Sequence, residues 1–154
     1  MQRFEKQDKA CELVEQTLII LKPESVTDRH IGDILQIYEN HDLRIIGLKM
    51  KLLTDEDAKK LYETHKKRTF YSDLTSYISS SPVVLAVLEG KGAIATVRDL
   101  HGSTNPDEAG KTTIRGKYGL TKQKNAKIHG FNGLLLFHKK PAYFKDIKNY
   151  RLDI

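Results

Sequence analysis

The chain has a single cysteine and no tryptophan among its 154 residues, and its longest apolar run is Val83 to Leu88. Cys11 alone cannot close a disulfide within the chain, and no Cys/His spacing reads as a zinc site, so a reducing, cytoplasmic setting is the expectation. A run of that length is too short to cross a bilayer, and no signal-like stretch appears, so a soluble chain without a membrane partner is expected. Internal repeats and low-complexity segments are also missing. A chain of this size can bury one core without disulfides or a structural metal, which favours a single domain over 1–154, with 1–14 an N-terminal extension and 139–154 a C-terminal tail.

Positive charge is plentiful: 26 Lys and Arg against 20 Asp and Glu give a formal net charge of +6. Such a balance favours polyanions, a class that holds nucleic acid, acidic membranes and nucleotide phosphates alike. Lys117, Lys122, Lys124 and Lys127 lie close together, and Lys139, Lys140, Lys145 and Lys148 follow near the end. Read alone, these lysines are an ordinary solvated face.

Hydrophobic patterning orders the chain. The apolar stretch Thr17 to Leu21 reads as a buried strand ending at Lys22-Pro23, and Ile31, Ile34, Leu35 and Tyr38 fall at helical spacing before a break at Asn40-His41-Asp42. Leu43 to Leu53 reads as a second strand, in which Ile46, Leu48, Met50 and Leu52 form an expected buried face between Gly47, Lys49 and Lys51. Thr54, with Asp55 and Asp57 behind it, has the form of an N-cap for a helix carrying Ala58, Leu61, Tyr62 and His65. A short helical face of Leu74, Tyr77 and Ile78 stops at Ser79-Ser80-Ser81-Pro82, and Val83 to Leu88 is the third strand. A helix with Ile94, Val97 and Leu100 follows, then a long polar loop from Gly102 to Lys127, and Leu134 to Phe137 as a last strand. This order implies an α+β, ferredoxin-like four-stranded antiparallel sheet, with its helices expected on one face.

Phosphate chemistry needs fixed cations and donors more than covalent machinery. Lys22 at a strand end, Arg68 before an aromatic, Arg98 on a helix and Arg115 in the polar loop are candidates, although each alone is an ordinary surface cation. Among six histidines, His129 stands at the end of the polar loop beside Gly130, a small neighbour that lets a phosphate approach a ring nucleophilic near neutral pH. Gly110-Lys111-Thr112 imitates the end of a phosphate-binding P-loop, but Asn105 stands where the first glycine belongs and no strand precedes it.

Taken in order, several segments resemble the nucleoside diphosphate kinase family. They are Thr17-Leu18-Ile19-Ile20-Leu21-Lys22-Pro23-Glu24, Arg44-Ile45-Ile46-Gly47-Leu48-Lys49-Met50, and Ser80-Ser81-Pro82-Val83-Val84 with Leu88-Glu89-Gly90. Gly102-Ser103-Thr104-Asn105-Pro106, Thr113-Ile114-Arg115-Gly116 and Ile128-His129-Gly130 complete the set. The resemblance implies an enzyme that passes the γ-phosphate of a nucleoside triphosphate to a nucleoside diphosphate through phosphorylated His129. It implies that Lys22, Arg98, Thr104 and Arg115 hold phosphates and that Tyr62 supports Lys22. Phe70 would stack on the base, Arg68 would touch phosphate, and Asn125 would contact the sugar and the transferring group. Stacking tolerates any base, because every base has a π-face. Mg²⁺ is implied as a cofactor held mainly by nucleotide and water, with no protein metal site. A homo-oligomer, hexamer or tetramer, is implied, with Gly102 to Lys111 and Pro106 meeting neighbouring subunits.

The sequence departs from the family near His129. Where the family reads N-x-x-H-G-S-D-S, this chain has Asn125-Ala126-Lys127-Ile128-His129-Gly130-Phe131-Asn132, with one residue inserted and a serine and an aspartate replaced. The family's glutamate that orients the histidine aligns with Lys139 or Lys140, and a cation cannot accept that bond. These departures define an alternative: a catalytically impaired member acting as a nucleotide- or nucleic-acid-binding regulatory module. A ferredoxin-like RNA-binding domain is a weaker reading, since paired aromatics on central strands are missing.

Overall fold

The computed structural model describes residues 14–104 and 107–119, together with the backbone of Leu134–Phe137. Strand β1 (Val14–Leu21) runs into a short helix α1 (Pro23–Thr27), whose proline occupies the first turn, where no amide hydrogen is needed. Helix α2 (Ile31–Glu39), strand β2 (Arg44–Lys51), helix α3 (Asp55–Leu61), helix α4 (Tyr71–Ile78), strand β3 (Val83–Lys91) and helix α5 (Ala93–His101) follow. The polar loop holds an element the patterning did not give: helix α6 (Ile114–Tyr118), capped by Thr113, whose hydroxyl accepts from Gly116 N–H at 3.1 Å. Backbone pairing of β4 (Leu134–Phe137) with β1 completes the order β2-β3-β1-β4, with every pairing antiparallel. The expected antiparallel sheet with packed helices is thus present.

Helices cover both faces of this sheet, not one. Leu18 and Ile20 of β1 stand opposite Val87 and Leu85 of β3 and pack against Ala58, Tyr62, Leu74 and Ile78 from the α3–α4 side. Their neighbours Ile19 and Leu21 stand opposite Ala86 and Val84 and pack against Ile34, Tyr38, Val97 and Ile114 from α2, α5 and α6. A strand covered on both sides has no reason to alternate, which is why β1 and β3 read as unbroken apolar runs. The cap expected at Thr54 is a full capping box: Thr54 Oγ1 accepts from Asp57 N–H at 3.1 Å, and Asp57 accepts from Thr54 N–H at 3.2 Å. Lys51 then ties β2 to that helix through Asp57 at 2.8 Å.

The alternation in β2 did not predict burial. Leu48, Met50 and Leu52 are 48%, 56% and 57% exposed. A bulge between Ile45 and Gly47 is the cause, because the extra residue, Ile46, turns onto the α3–α4 side while Leu48 and Met50 pair opposite Ala86 and Val84 on the other. On that second face the helices cover Leu43 and Ile45 but leave Leu48 and Met50 bare.

One polar pair is sealed within the second face. Tyr38 Oη and His101 Nε2 are hydrogen-bonded at 2.8 Å, and both side chains are buried. Burial, reinforced by the charge of Arg115, lowers the His101 pKa from 6.5 to about 3, so the ring is neutral in the fold. The unfolded chain takes up this proton below about pH 6.5 while the folded chain refuses it until about pH 3, so stability falls as pH drops through that window. In acid titrations followed by urea unfolding, the Tyr38→Phe, His101→Leu double variant is expected to lose on the order of a few kcal/mol less than the parent between pH 6.5 and 4. An equal loss in the two proteins would show that His101 is not the group responsible.

Candidate active site

Lys22 is the junction between β1 and α1. Its backbone is extended (φ −74°, ψ 171°) and its side chain has no solvent exposure. The position follows from the sequence: a fully buried strand delivers the lysine, and Pro23 forces the chain to turn immediately behind it. Burial is the main reason that the Lys22 ammonium is pushed down to about 7; the nearby Glu24 carboxylate works against the shift and the Arg115 guanidinium adds to it. The Lys22 Nζ also lies 5.9 Å from the ring centroid of Tyr77 in α4.

Three other groups share this environment. Tyr62, at the C-terminal end of α3, is buried, and its hydroxyl is held protonated first by that burial and then by the negative charge of Glu24. Glu24 is itself only 7% exposed and accepts a hydrogen bond from the Tyr77 hydroxyl. Arg115 in α6 is half-buried, and its Nη1 donates to the Gly102 carbonyl at 2.7 Å. That carbonyl is available because Gly102 turns the chain out of α5 at φ +74°, a conformation that a residue with a Cβ rarely adopts. A Cβ there would also stand 2.6 Å from Thr113 Oγ1, the cap of α6. The end of α5 and the start of α6 are thereby fixed to one another around Arg115.

The remaining expected residues are placed as follows. Arg98 is exposed in the last turn of α5, and Thr104 is exposed two residues after Gly102. Arg68 is exposed in the segment between α3 and α4, while Phe70 is half-buried against the first core face, with its ring centroid 6.1 Å from that of His65. Asn125 and His129 lie outside the described residues, as do Pro106, Phe131, Lys139 and Lys140. Gly110-Lys111-Thr112 forms the turn into α6, with Thr113 N–H donating to the Gly110 carbonyl at 2.8 Å, and α5, not a strand, precedes it. Two residues of this neighbourhood were not among the expected ones. Glu24 was visible only as part of the Lys22-Pro23-Glu24 motif, and Tyr77 was read as one apolar position on a helix, which describes its ring but not its hydroxyl.

Lysine and arginine charges gathered at the end of a strand and in the first turn of a short helix, partly out of water, are of the kind that can handle anionic phosphate. Comparisons with known proteins agree. The family model described as nucleoside diphosphate kinase matches residues 15–144. The chain is 44% identical over 131 residues to the nucleoside diphosphate kinase of Chlamydia pneumoniae, covering 85% of this chain and 90% of that one. It superimposes on the Aquifex aeolicus nucleoside diphosphate kinase with a TM-score of 0.76 at 34% identity, over 88% of this chain and 94% of that one. The Borrelia burgdorferi enzyme, solved as a transition-state mimic with vanadate and ADP, matches with a TM-score of 0.73 at 32% identity, over 92% and 89% of the two chains. This chain belongs to the nucleoside diphosphate kinase family. Its activity is that of a phosphotransferase, and the comparisons lend no support to the alternative of an impaired binding module.

Proposed function

We propose that the chain transfers the γ-phosphate of a nucleoside triphosphate to His129 and from there to a nucleoside diphosphate. The observation that carries this reading is a lysine delivered fully buried at the end of β1, in the field of a half-buried arginine. Charge on a phosphate in transfer is spread over its oxygens, and Lys22 and Arg115 supply fixed positive charge from two separate elements. Arg98 and Thr104 would meet the remaining phosphates, Arg68 would add a further cation, and Phe70 would offer its ring to the base. Tyr62 keeps its proton and so serves as a hydroxyl beside Lys22, while Asn125 would contact the sugar. Mg²⁺ would be carried mainly by phosphate oxygens and water, as suits an ion that gives up its hydration reluctantly. When bound it would neutralise phosphate charge.

The chain would work as a cytoplasmic homo-oligomer, hexamer or tetramer. The bare Leu48, Met50 and Leu52 at an edge of the sheet favour a subunit contact there, in addition to the loop contact around Pro106. Nucleic acid is not needed to account for the basic charge. Among the described residues no helix is long and apolar enough to cross a membrane.

The covalent route is tested by mixing the protein with γ-labelled ATP and Mg²⁺ in the absence of acceptor, beside His129→Ala. Acid-labile, base-stable label on the parent alone, chased off by GDP, is expected. Nucleotide binding without any label would remove the phosphohistidine route and point to a site that has lost its chemistry.

A further inference from the structure

We propose that Glu24 and Tyr77 are positioning residues for the phosphoryl-transfer step: Tyr77 holds the Glu24 carboxylate beside Lys22, and that carboxylate keeps Lys22 a cation inside the protein. The inference rests on the reading of Lys22 as a phosphate-binding group. A lysine with no solvent exposure is driven towards its neutral form, which offers a phosphate no charge and only weak N–H donors. Among the described residues, the groups that act on it come from three elements. Arg115 of α6 pushes in the same direction as burial, Tyr77 of α4 presents its ring at 5.9 Å, and Glu24 of α1 acts to keep the proton on.

Tyr77 joins the two charges. Its ring faces the Lys22 ammonium while its hydroxyl donates to Glu24 Oε2, across 53 positions of sequence. A hydroxyl donated to a carboxylate favours the ionised form, so the same side chain fixes where the negative charge sits and keeps it charged. A tie between α1 and α4 that served packing alone would need the hydrogen bond and not the charge.

Glu24→Gln separates these roles, because the amide oxygen still accepts from Tyr77 while the charge is gone. The readout is the pH profile of kcat/KM for transfer from ATP to GDP, which reports the free enzyme. Activity falls as Lys22 loses its proton, so the alkaline limb is expected to move about one pH unit lower in Glu24→Gln, and the melting temperature should fall with it at pH values below the limb, where the unpaired ammonium must stay charged. Tyr77→Phe keeps the ring and removes the donor; it should move the limb in the same direction by less. Glu24→Asp, which keeps the charge, should restore much of the parent profile. Lys22→Gln separates this proposal from the reading beneath it. Full activity in that variant would remove both, whereas an inactive Lys22→Gln beside an unshifted limb in Glu24→Gln and Tyr77→Phe would overturn this one alone.

Discussion

A Lys22→Met, Glu24→Gln double variant is expected to melt several degrees above the parent chain at pH 6 and to turn over at least about a hundredfold more slowly. Both parts follow from the same burial. Opposite charges taken out of water cost more than their attraction returns in most proteins, and replacing them with groups of similar volume is often stabilising by about 1–4 kcal/mol. Methionine matches the lysine stem in length and flexibility, and glutamine keeps the bond from Tyr77. The pH dependence identifies the cause. In the unfolded parent Lys22 holds its proton up to about 10.5, whereas in the fold it lets go near 7. The unfolded state therefore binds more protons between those values, and the parent gains stability as pH rises from 7 to 10.5. The advantage of the double variant should be largest below pH 7 and shrink towards pH 10; thermal melts at pH 6, 8 and 10 measure it. An advantage constant with pH would mean that packing, not charge, is responsible. Loss of turnover is the other half, since removing one preorganised donor to a transferring group costs about 10²–10³ in kcat. Stability has been given up here for charge at a chosen point.

Gly116→Ala is expected to weaken nucleotide binding about tenfold or more and to destabilise the chain by about 1–3 kcal/mol. A Cβ at Gly116 would stand 2.2 Å from the Gly110 carbonyl oxygen and 2.9 Å from its carbon. Neither atom can yield cheaply, because that oxygen already accepts from Thr113 N–H at 2.8 Å and from Thr113 Oγ1 at 2.6 Å. Relief requires α6 to move, and Arg115 moves with it, away from the Gly102 carbonyl. Gly32→Ala is the control, since its Cβ meets nothing within 4 Å on the exposed side of α2. Calorimetric titration with ADP and urea unfolding of both variants measure the difference. Parent-like ADP affinity in Gly116→Ala would show that the turn before α6 does not set the position of Arg115.

The strands were legible where burial leaves a simple signature. β1 and β3 appear as apolar runs, and the Thr54 cap appears in its own spacing. β2 misled for a physical reason: its alternation is real, but a bulge divides it between two faces, and no local pattern states which face the helices of the chain reach. The number of covered faces was hidden in the same way, because an unbroken apolar strand is compatible with burial by helices on either side. α6 was missed because a five-residue helix capped by Thr113 carries little periodicity within a stretch rich in Gly, Thr and Lys. In the proposed site, Lys22 and Arg115 were singled out as candidate cations by their chemistry, but their roles, and the choice of Tyr62, came only from the family resemblance, since each alone is an ordinary residue. Glu24 and Tyr77 were illegible because their connection spans α1 and α4.

Strand β1 lies between β3 and β4 and is sealed by helices on both faces, and Lys22 is attached directly to its end. Amides in such a strand exchange with solvent only when the whole chain opens, so the buried cation is fastened to the slowest-breathing part of the molecule. Arg115 is held differently, through Gly102 and a five-residue helix whose surroundings are largely exposed, and such a segment opens locally at far smaller free energy. The two cations are therefore on different clocks. A local opening that shifted Arg115 would leave β1, and Lys22 at its end, where they are.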